Sequence, residues 1–145
     1  MVIEILSFSD ENKELFNKAM QIRFDVFTNE QGVDKDLEFD GLDSESVHFL
    51  VNIDAKPVAT ARWRETDEGI KIERMAVLKK YRHLGIGNLL LRYVIQDVLP
   101  SRRKIYLHAQ KQVVDFYKLN HFVVEGNEFY EANILHFKMI YKNQN

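Results

Sequence analysis

The sequence predicts one α/β (α+β) domain, with a mixed central sheet of about seven strands flanked by helices. The 145 residues suffice for one hydrophobic core but not for two, so residues 1–145 are expected to form a single domain. Segments with strand-like alternation interleave with segments of helical periodicity. A strand also leads through a glycine turn into a helix and then into another strand, which requires a parallel crossover in the sheet.

The N-terminal half predicts a strand, a helix and three antiparallel strands. A short strand at residues 2–6 precedes Ser9-Asp10, which are good capping residues, and apolar residues then recur at helical spacing over residues 15–27. After a polar loop, apolar residues alternate in three segments that are separated by short polar turns. These three strands, which should form an antiparallel meander, are predicted at residues 47–53, 58–64 and 70–77.

The C-terminal half predicts two helices placed between strands. Apolar residues from Ile86 to Val98 form one buried helix face, and Pro100 ends that helix. A second helix is predicted at residues 113–119. The last predicted strand could pair along a sheet edge with a second copy of the chain, which would give a homodimer. The strands of this half are predicted at residues 105–109, 122–124 and 134–141.

The composition argues against several kinds of partner. A formal net charge of −2 gives no overall attraction to nucleic acid. The chain has no cysteine, which excludes disulfides and fits a reducing cytoplasm. No apolar run reaches the roughly 20 residues that a membrane span needs. The five histidines are spread singly along the chain, so we expect no metal site. From the charge and the apolar runs, we expect no nucleic-acid partner and no membrane.

The most informative segment spans residues 72–91, where a strand ends in a basic turn that leads two glycines into a helix. Gly85 and Gly87 carry no Cβ, so the backbone can approach a ligand closely. The amide N–H groups at a helix start and the guanidinium of Arg82 both suit phosphate oxygens. The alternative is a tight turn whose glycines serve geometry alone. The segment lacks the Gly-Lys-Ser/Thr of a Walker loop and the third glycine of the dinucleotide fingerprint.

Two motifs in this order resemble those of the GNAT family of N-acetyltransferases. The Arg-x-x-Gly-x-Gly of residues 82–87 resembles the acetyl-CoA-binding motif, and residues 115–122 resemble the second signature, with His121 in place of its glycine. Residues 22–43 resemble a bacterial branch of ElaA- and YjcF-like acetyltransferases. The resemblance covers nearly the whole chain. It implies the acetyltransferase fold, acetyl-CoA as co-substrate, no metal, and transfer of the acetyl group to a primary amine.

The resemblance also implies a catalytic acid and a catalytic base. Tyr117 matches the tyrosine that family members place near the cofactor sulfur, and a phenol stays protonated at neutral pH. The alternative for Tyr117 is an aromatic residue that only fills the core. Glu73 matches a glutamate that acts as base in several relatives, and burial would raise the pKa of its carboxyl group. The alternative for Glu73 is an ion pair with Arg62 or Arg64.

Further site residues follow from the same resemblance. In the family, two strands separate around the pantetheine arm, which bonds to the backbone of the first strand. By alternation, Glu73 should share a face with Met75 and Val77. The expected acceptor-side residues, each of which could equally be a surface or capping residue, are Arg23, Glu30 and Gln31. The expected cofactor contacts are Met75, Ala76, Val77, Arg82, His83, Leu84, Gly85, Ile86, Gly87, Gln110 and Phe116.

The acceptor is expected to be a small primary amine. Acidic residues concentrate over residues 34–45, and their charge would attract a cationic amine. His48 and His136 fall on predicted strands, where they either face the acceptor cleft or are satisfied strand histidines. Two other interpretations remain open. One is a noncatalytic acyl-CoA-binding sensor or interaction module, and the other, from the Glu-x-Asp-x-x-Asp element of residues 38–43, is an acyl-homoserine-lactone synthase.

Overall fold

Eight strands form one mixed sheet in the computed structural model, which describes residues 1–142. The strands are β1 (Ile3–Phe8), β2 (Ser46–Ile53), β3 (Lys56–Glu65), β4 (Ile70–Val77), β5 (Ile105–Gln110), β6 (Phe122–Val124), β7 (Phe129–Glu131) and β8 (Ile134–Tyr141). Their order in the sheet is β1-β2-β3-β4-β5-β8-β6, and β7 pairs with another part of β8. Only β4 and β5 run parallel, so the predicted meander and the predicted parallel crossover are both confirmed.

Helices cover both faces of this sheet. The first begins after Asn12, whose side chain accepts a hydrogen bond from the Leu15 amide, rather than after the predicted Ser9-Asp10 pair. It continues as a π-helical segment, and the predicted polar loop contains a further short helix. The helices are α1 (Lys13–Arg23), the π-helical segment Phe24–Glu30, α2 (Lys35–Glu38), α3 (Ile86–Val98) and α4 (Val114–Leu119), with short 3₁₀ turns at Asp43–Glu45, Lys79–Tyr81, Leu99–Ser101 and Lys111–Val113.

The hydrophobic core has one part on each face of the sheet. On one face, α3 and α4 pack against the inward side chains of β2 to β5, with Leu90 and Leu91 completely buried. On the other face, α1 packs Ala19 and Ile22 against the sheet. Burying one such aliphatic side chain stabilises the fold by roughly 1.5–3 kcal/mol. The two layers of helices therefore hold the central strands in place from both sides.

A β-bulge at Arg74 changes which face the end of β4 presents. Thr60 pairs with Ala76 and Arg62 pairs with Glu73, so β4 has one residue more than β3 between these pairs. Arg74 has a φ of +55°, as a bulge residue in the left-handed region does. Met75 packs in the core under α3, on the same face as Ile70 and Ile72. The expectation that Glu73 shares a face with Met75 is therefore wrong, because the bulge interrupts the alternation.

The strands β4 and β5 pair over only a short length and then separate. Residues 70–72 pair with residues 105–107, and the remainder of β4 has no partner in β5. Such a separation of two neighbouring strands leaves backbone groups of both strands available to a ligand. The separation of strands that the family resemblance implied is thus present.

The C-terminal strand β8 lies inside the sheet rather than at its edge. It pairs with β5 on one side and with β6 and β7 on the other. The prediction that residues 134–141 pair along an edge with a second copy is therefore wrong. The strand β7 was not predicted. It forms a hairpin with β8 through Ala132 and Asn133, which both have positive φ angles, of 51° and 62°.

Candidate functional site

A cavity of about 920 Å³ opens where β4 and β5 separate. Ligand pockets commonly have volumes of about 300–1,000 Å³, so this cavity is large enough for a substantial ligand. Leu84 is 61% exposed and does not line it. The other ten residues expected to contact a cofactor do line it: Met75, Ala76, Val77, Arg82, His83, Gly85, Ile86, Gly87, Gln110 and Phe116.

The turn before α3 presents unbonded amide groups. Gly85 has a φ of +82°, and no atom of the described residues lies within 4 Å of where its Cβ would stand. The amide N–H groups of residues 83–88 donate no hydrogen bond to any protein atom in residues 1–142. The start of a helix also carries a partial positive charge. This end of the cavity therefore suits an anion, and phosphate in particular.

Gly87 has closer neighbours than Gly85. A Cβ on Gly87 would lie 3.4 Å from the Phe116 ring and 3.9 Å from a methyl group of Val77, which are ordinary van der Waals distances. Gly85 faces open space. Gly87 also lines the cavity, so its contact with a phosphate stays a prediction.

Arg82 is held in place by protein groups at this turn. Its Nε donates to the Val77 carbonyl oxygen at 2.8 Å, and its two terminal nitrogens donate to the two carboxylate oxygens of Glu30 at 2.8 and 2.7 Å. Glu30 was expected beside an acceptor pocket, but its carboxylate lies at the turn before α3. An incoming phosphate would therefore share or replace the Glu30 carboxylate as the partner of Arg82.

Tyr117 combines a core position with access to the cavity. Its ring packs edge-on against Phe116 and Phe122, with centroids 5.0 and 5.6 Å away, and the side chain is buried. Its hydroxyl group donates to the Met75 sulfur at 3.7 Å, and the residue lines the cavity. Burial raises the pKa of the Tyr117 phenol well above its ordinary value. The hydroxyl group therefore keeps its proton at any physiological pH and can serve as a donor.

Glu73 is bound by three cations. Its carboxylate lies 3.0 Å from Arg62, 2.7 Å from Arg64 and 3.2 Å from Lys71. Burial opposes ionisation, but the hydrogen bond from Arg64 and the charges of Arg62 and Lys71 hold the pKa of Glu73 below its ordinary value. The expected rise in the pKa is therefore wrong, and the ion-pair alternative describes the contacts. A carboxylate stabilised in this way is a weak base.

Arg23 is buried and lies outside the cavity. Its guanidinium binds Glu38 at 2.6 Å and Asp43 at 2.7 Å, and its side chain is 1% exposed. The prediction that it lines an acceptor pocket is therefore wrong, because these carboxylates draw it beneath the loop that follows α1. Glu38 and Asp43 lie 15 and 20 residues after Arg23, so no local pattern in the sequence indicated these contacts.

The acidic segment of residues 34–45 does not present free negative charge to the cavity. Asp40 and Asp43 both bind the guanidinium of Arg62, at 2.6 and 2.8 Å, and Arg74 binds Glu38 and Asp40. Each of these carboxylates therefore has an arginine partner. Asp34, Asp36 and Glu45 of the same segment do not line the cavity, so the attraction of a cationic amine stays a prediction.

The wall opposite α3 contains polar groups that the sequence singled out only in part. Gln31 accepts a hydrogen bond from Gln110 at 2.8 Å, so the residue after the π-helical segment contacts the end of β5. His48 is buried, contacts the Asp43 carbonyl oxygen at 3.0 Å and does not line the cavity. His136 does line it. The sequence reading assigned no role here to four other residues that line this wall: Arg64, Lys71, His108 and Glu131.

Other classes of site have no counterpart among the described residues. No group of three or more histidine, aspartate or glutamate side chains within residues 1–142 is arranged to hold a metal ion. In the same part of the chain, no helix is long and apolar enough to cross a membrane.

Comparisons with known proteins agree with the fold and the motifs. The acetyltransferase (GNAT) domain matches residues 8–143. The uncharacterized N-acetyltransferase YjcF of Bacillus subtilis strain 168 is 36% identical over 132 residues, which cover 90% of this chain and 94% of YjcF. The crystal structure of Escherichia coli ElaA has a TM-score of 0.87 at 23% identity and covers 97% of this chain and 100% of ElaA.

An acyl-CoA N-acyltransferase from Pseudomonas aeruginosa has the same fold, with a TM-score of 0.85 at 24% identity, covering 97% of this chain and 100% of the other. The family resemblance of the two motifs is thus confirmed over most of the sequence. The chain belongs to the GNAT family and is an acyl-CoA-dependent acetyltransferase.

Proposed function

We propose that this protein transfers the acetyl group of acetyl-CoA to the primary amine of a small molecule, by direct attack in a ternary complex. The observation that carries the proposal is the cleft between β4 and β5, which has the unbonded amides of residues 83–88 at one end and the Tyr117 hydroxyl group inside it. Membership of the acetyltransferase family supports the same reaction. The absence of cysteine further suggests a cytoplasmic enzyme.

The cofactor would lie along the unpaired edge of β4. Its pantetheine arm has amide groups that can bond to the backbone of residues 75–77, in the manner of an added strand. Its pyrophosphate would receive hydrogen bonds from the amides of residues 83–88, with Arg82 beside it. Gln110, at the end of β5, is a candidate donor or acceptor for the arm once its contact with Gln31 opens.

The reaction needs one proton to leave the amine and one to reach the sulfur. The amine nitrogen attacks the thioester carbon, the new C–N bond forms, and the C–S bond breaks with its electron pair remaining on sulfur. Tyr117 is the proposed donor to that thiolate, because its hydroxyl group is protonated and lies at the Met75 sulfur on β4. No covalent enzyme intermediate is needed.

The proposal of a small acceptor rests on the family resemblance. Val26 and Phe27 of the π-helical segment and Ala132 of the β7–β8 hairpin also line the cavity and are candidates to contact the acceptor. A screen of amino sugars, polyamines, amino acids and basic peptides for acetyl-CoA-dependent release of free thiol tests this point. Higher turnover with peptides than with every small amine would contradict it.

Cofactor binding is tested with two matched glycine variants. Gly85 and Gly126 have nearly equal φ angles, of +82° and +80°, and neither has a described atom within 4 Å of the position of a Cβ. Gly85→Ala and Gly126→Ala therefore carry the same backbone strain, but only Gly85→Ala places a methyl group at the proposed phosphate site. Calorimetric titration should show weaker binding of coenzyme A in Gly85→Ala alone. Equal affinities in both variants would contradict the assignment.

The screen and the titration together also distinguish an enzyme from a binding module. Binding of coenzyme A with no thiol release from any amine would favour the noncatalytic module. Absence of both would contradict the proposed function.

A further inference from the structure

The proposed reaction needs a base, and the described contacts make Glu73 poorly suited to that task. The two strands that flank the cavity are paired up to Ile72 on β4 and Leu107 on β5. Both of these side chains point into the core under α3, so the next residues on each strand, Glu73 and His108, point to the opposite face. His108 therefore lies on the same face of the sheet as Glu73, one residue beyond the last pair of the two strands, and it lines the same cavity.

His108 contacts a negatively charged side chain, whereas Glu73 contacts three positively charged ones. The His108 Nδ1 atom lies 3.3 Å from a carboxylate oxygen of Glu131, which the β7–β8 hairpin brings over the end of β5. The Phe129 ring packs edge-on against the imidazole, with centroids 4.9 Å apart. A hydrogen bond and an aromatic contact thus fix the orientation of the imidazole ring.

The contact with Glu131 also fixes the tautomer. The hydrogen bond to His108, together with the charges of Lys71 and His136, outweighs burial and lowers the pKa of Glu131 to about 2. An ionised carboxylate can only accept a hydrogen bond, so Nδ1 carries the proton. The lone pair of a neutral His108 is then on Nε2. Besides Glu131 on β7, the charged groups near the imidazole are Lys71 and Glu73 on β4, and His136 and Lys138 on β8.

We propose that His108 is the general base of the reaction and that Glu131 positions it. The inference rests on the proposed function. As the amine nitrogen forms its bond to the thioester carbon, Nε2 of His108 takes a proton from that nitrogen while Tyr117 gives a proton to the departing sulfur. Solvent then carries a proton from His108 back to Tyr117, so a neutral amine and acetyl-CoA yield an acetamide and free coenzyme A.

His136, the other histidine that lines this wall, can be compared with His108. The His136 Nδ1 atom lies 2.7 Å from the Ile134 carbonyl oxygen, its ring stacks on Phe129, and only 8% of its side chain is exposed. The side chain of His108 is 24% exposed, and it lies at the strand separation. The geometry therefore favours His108 over His136 as the group that meets an incoming amine.

The kinetic test uses four variants, with glucosamine, spermidine and lysine as probe acceptors. His108→Gln should lower turnover by about 10²–10⁴-fold while the affinity for coenzyme A is unchanged. Glu131→Gln should lower turnover less than His108→Gln does, because the base remains and only the side chain that orients its ring is changed. His136→Gln should lower turnover less than His108→Gln does, and the exposed control His121→Asn should keep the wild-type turnover.

A spectroscopic test needs no acceptor. Ring-nitrogen NMR of the coenzyme A complex should show the Nδ1–H tautomer for neutral His108, and Glu131→Gln should change the Nδ1 signal. The Nε2–H tautomer would overturn the proposal, as would full turnover in His108→Gln or a larger loss in His136→Gln. If the wild-type protein binds no coenzyme A and releases no thiol, the proposed function itself fails, which is a different outcome from these.

Discussion

At the scale of single residues, Arg62 is the centre of a buried ion network. Its side chain is completely buried and contacts Asp40, Asp43 and Glu73. Removing one member of a buried ion pair leaves its partner charged and desolvated, at a cost of about 3–5 kcal/mol. The network thus ties the segment between α2 and β2 to the middle of the sheet.

We expect Arg62→Met to lower the free energy of unfolding by about 3–5 kcal/mol, because three carboxylates lose a partner. Denaturant unfolding followed by circular dichroism measures this change. Lys18→Met is the matched control, since Lys18 pairs with Glu14 on the exposed face of α1 and should cost less than about 1 kcal/mol. Similar losses in both variants would contradict the role of the network.

The same network predicts a dependence of stability on acid. Burial opposes the ionisation of Asp40, but the hydrogen bonds from Arg62 and the Leu42 amide and the charges of Arg62 and Arg74 together lower its pKa to about 2. Arginine partners lower the pKa values of Asp43 and Glu73 against burial in the same way. A carboxyl group with a lowered pKa in the folded state stabilises the protein fully above its unfolded pKa of about 4. That contribution is lost as the pH falls from about 4 towards 2.

We therefore expect the free energy of unfolding to fall steeply between pH 4 and about 2 in the wild-type protein. Asp40→Asn should be less stable at pH 7 but should show a shallower fall, because one titrating group is gone. Urea unfolding at a series of pH values gives both quantities. Parallel curves for the two proteins would show that Asp40 does not contribute to the acid dependence.

Tyr117 gives the third residue-level prediction. Tyr117→Phe keeps the ring contacts and removes only the hydroxyl group that lies at the Met75 sulfur. Turnover should fall by about 10²–10⁴-fold, the range for a general acid, with little change in melting temperature or in affinity for coenzyme A. Steady-state kinetics and calorimetry measure these effects. Unchanged turnover would mean that Tyr117 is only a core aromatic residue.

At the scale of elements, the bulge in β4 determines which face of the sheet the side chains at the end of this strand occupy. Arg74 adopts a left-handed backbone conformation that costs roughly 1–2 kcal/mol for a residue with a Cβ. Its guanidinium binds Glu38 and Asp40, which offsets part of this cost. Without the extra residue, Glu73 and Met75 would share a face, and with Ile70 and Ile72 in place Met75 would leave the core under α3.

Two substitutions separate the backbone of Arg74 from its side chain. Arg74→Gly and Arg74→Ala both lose the ion pairs, but only glycine relieves the positive φ angle. We expect Arg74→Gly to be the more stable variant by about 0.5–1 kcal/mol, after allowing for the greater unfolded-state entropy of glycine. Thermal unfolding of the pair tests this, and a less stable glycine variant would argue against the strained bulge.

The sequence predicted the regular elements well because their signals are local. The predicted strand at residues 70–77 and the predicted helix at 86–98 have the bounds that the structure shows. The bulge was missed because Arg74 is not a glycine, so nothing in the local sequence indicates a positive φ. The β7–β8 hairpin was missed for the same reason, since Ala132-Asn133 lacks the glycine of the common two-residue turns.

The candidate site was predictable in part. The backbone contacts around the glycine turn follow from a contiguous motif, and the cavity contains ten of the eleven predicted cofactor residues. The ion pairs of Glu73 with Arg62 and Arg64 were the alternative that the sequence offered, and they are present. The partners of Arg23 lie 15 and 20 residues away, so periodicity did not indicate them. His108 stands two residues before Gln110 on the same strand face, and that alternation was the one local signal for it.

At the scale of the whole molecule, the sheet is interrupted where the cofactor is proposed to bind. A ligand that binds only the folded state stabilises it, by roughly 2.7 kcal/mol at a concentration of 100 times its dissociation constant. Coenzyme A at that excess should raise the melting temperature of the wild-type protein by several degrees. At the same concentration the shift should be much smaller for Gly85→Ala, and a shift equal to that of Gly126→Ala would contradict the proposed phosphate site.

The short ladder between β4 and β5 has a consequence for the exchange of amide hydrogens. Amides in the paired segment, residues 70–72 and 105–107, are expected to exchange slowly, because the core covers this part of the sheet on one face. Amides of β4 that point towards β5 beyond Ile72 have no strand to protect them. Bound pantetheine would take the place of that strand, so its binding should appear as newly protected amides at the end of β4 and around the turn before α3.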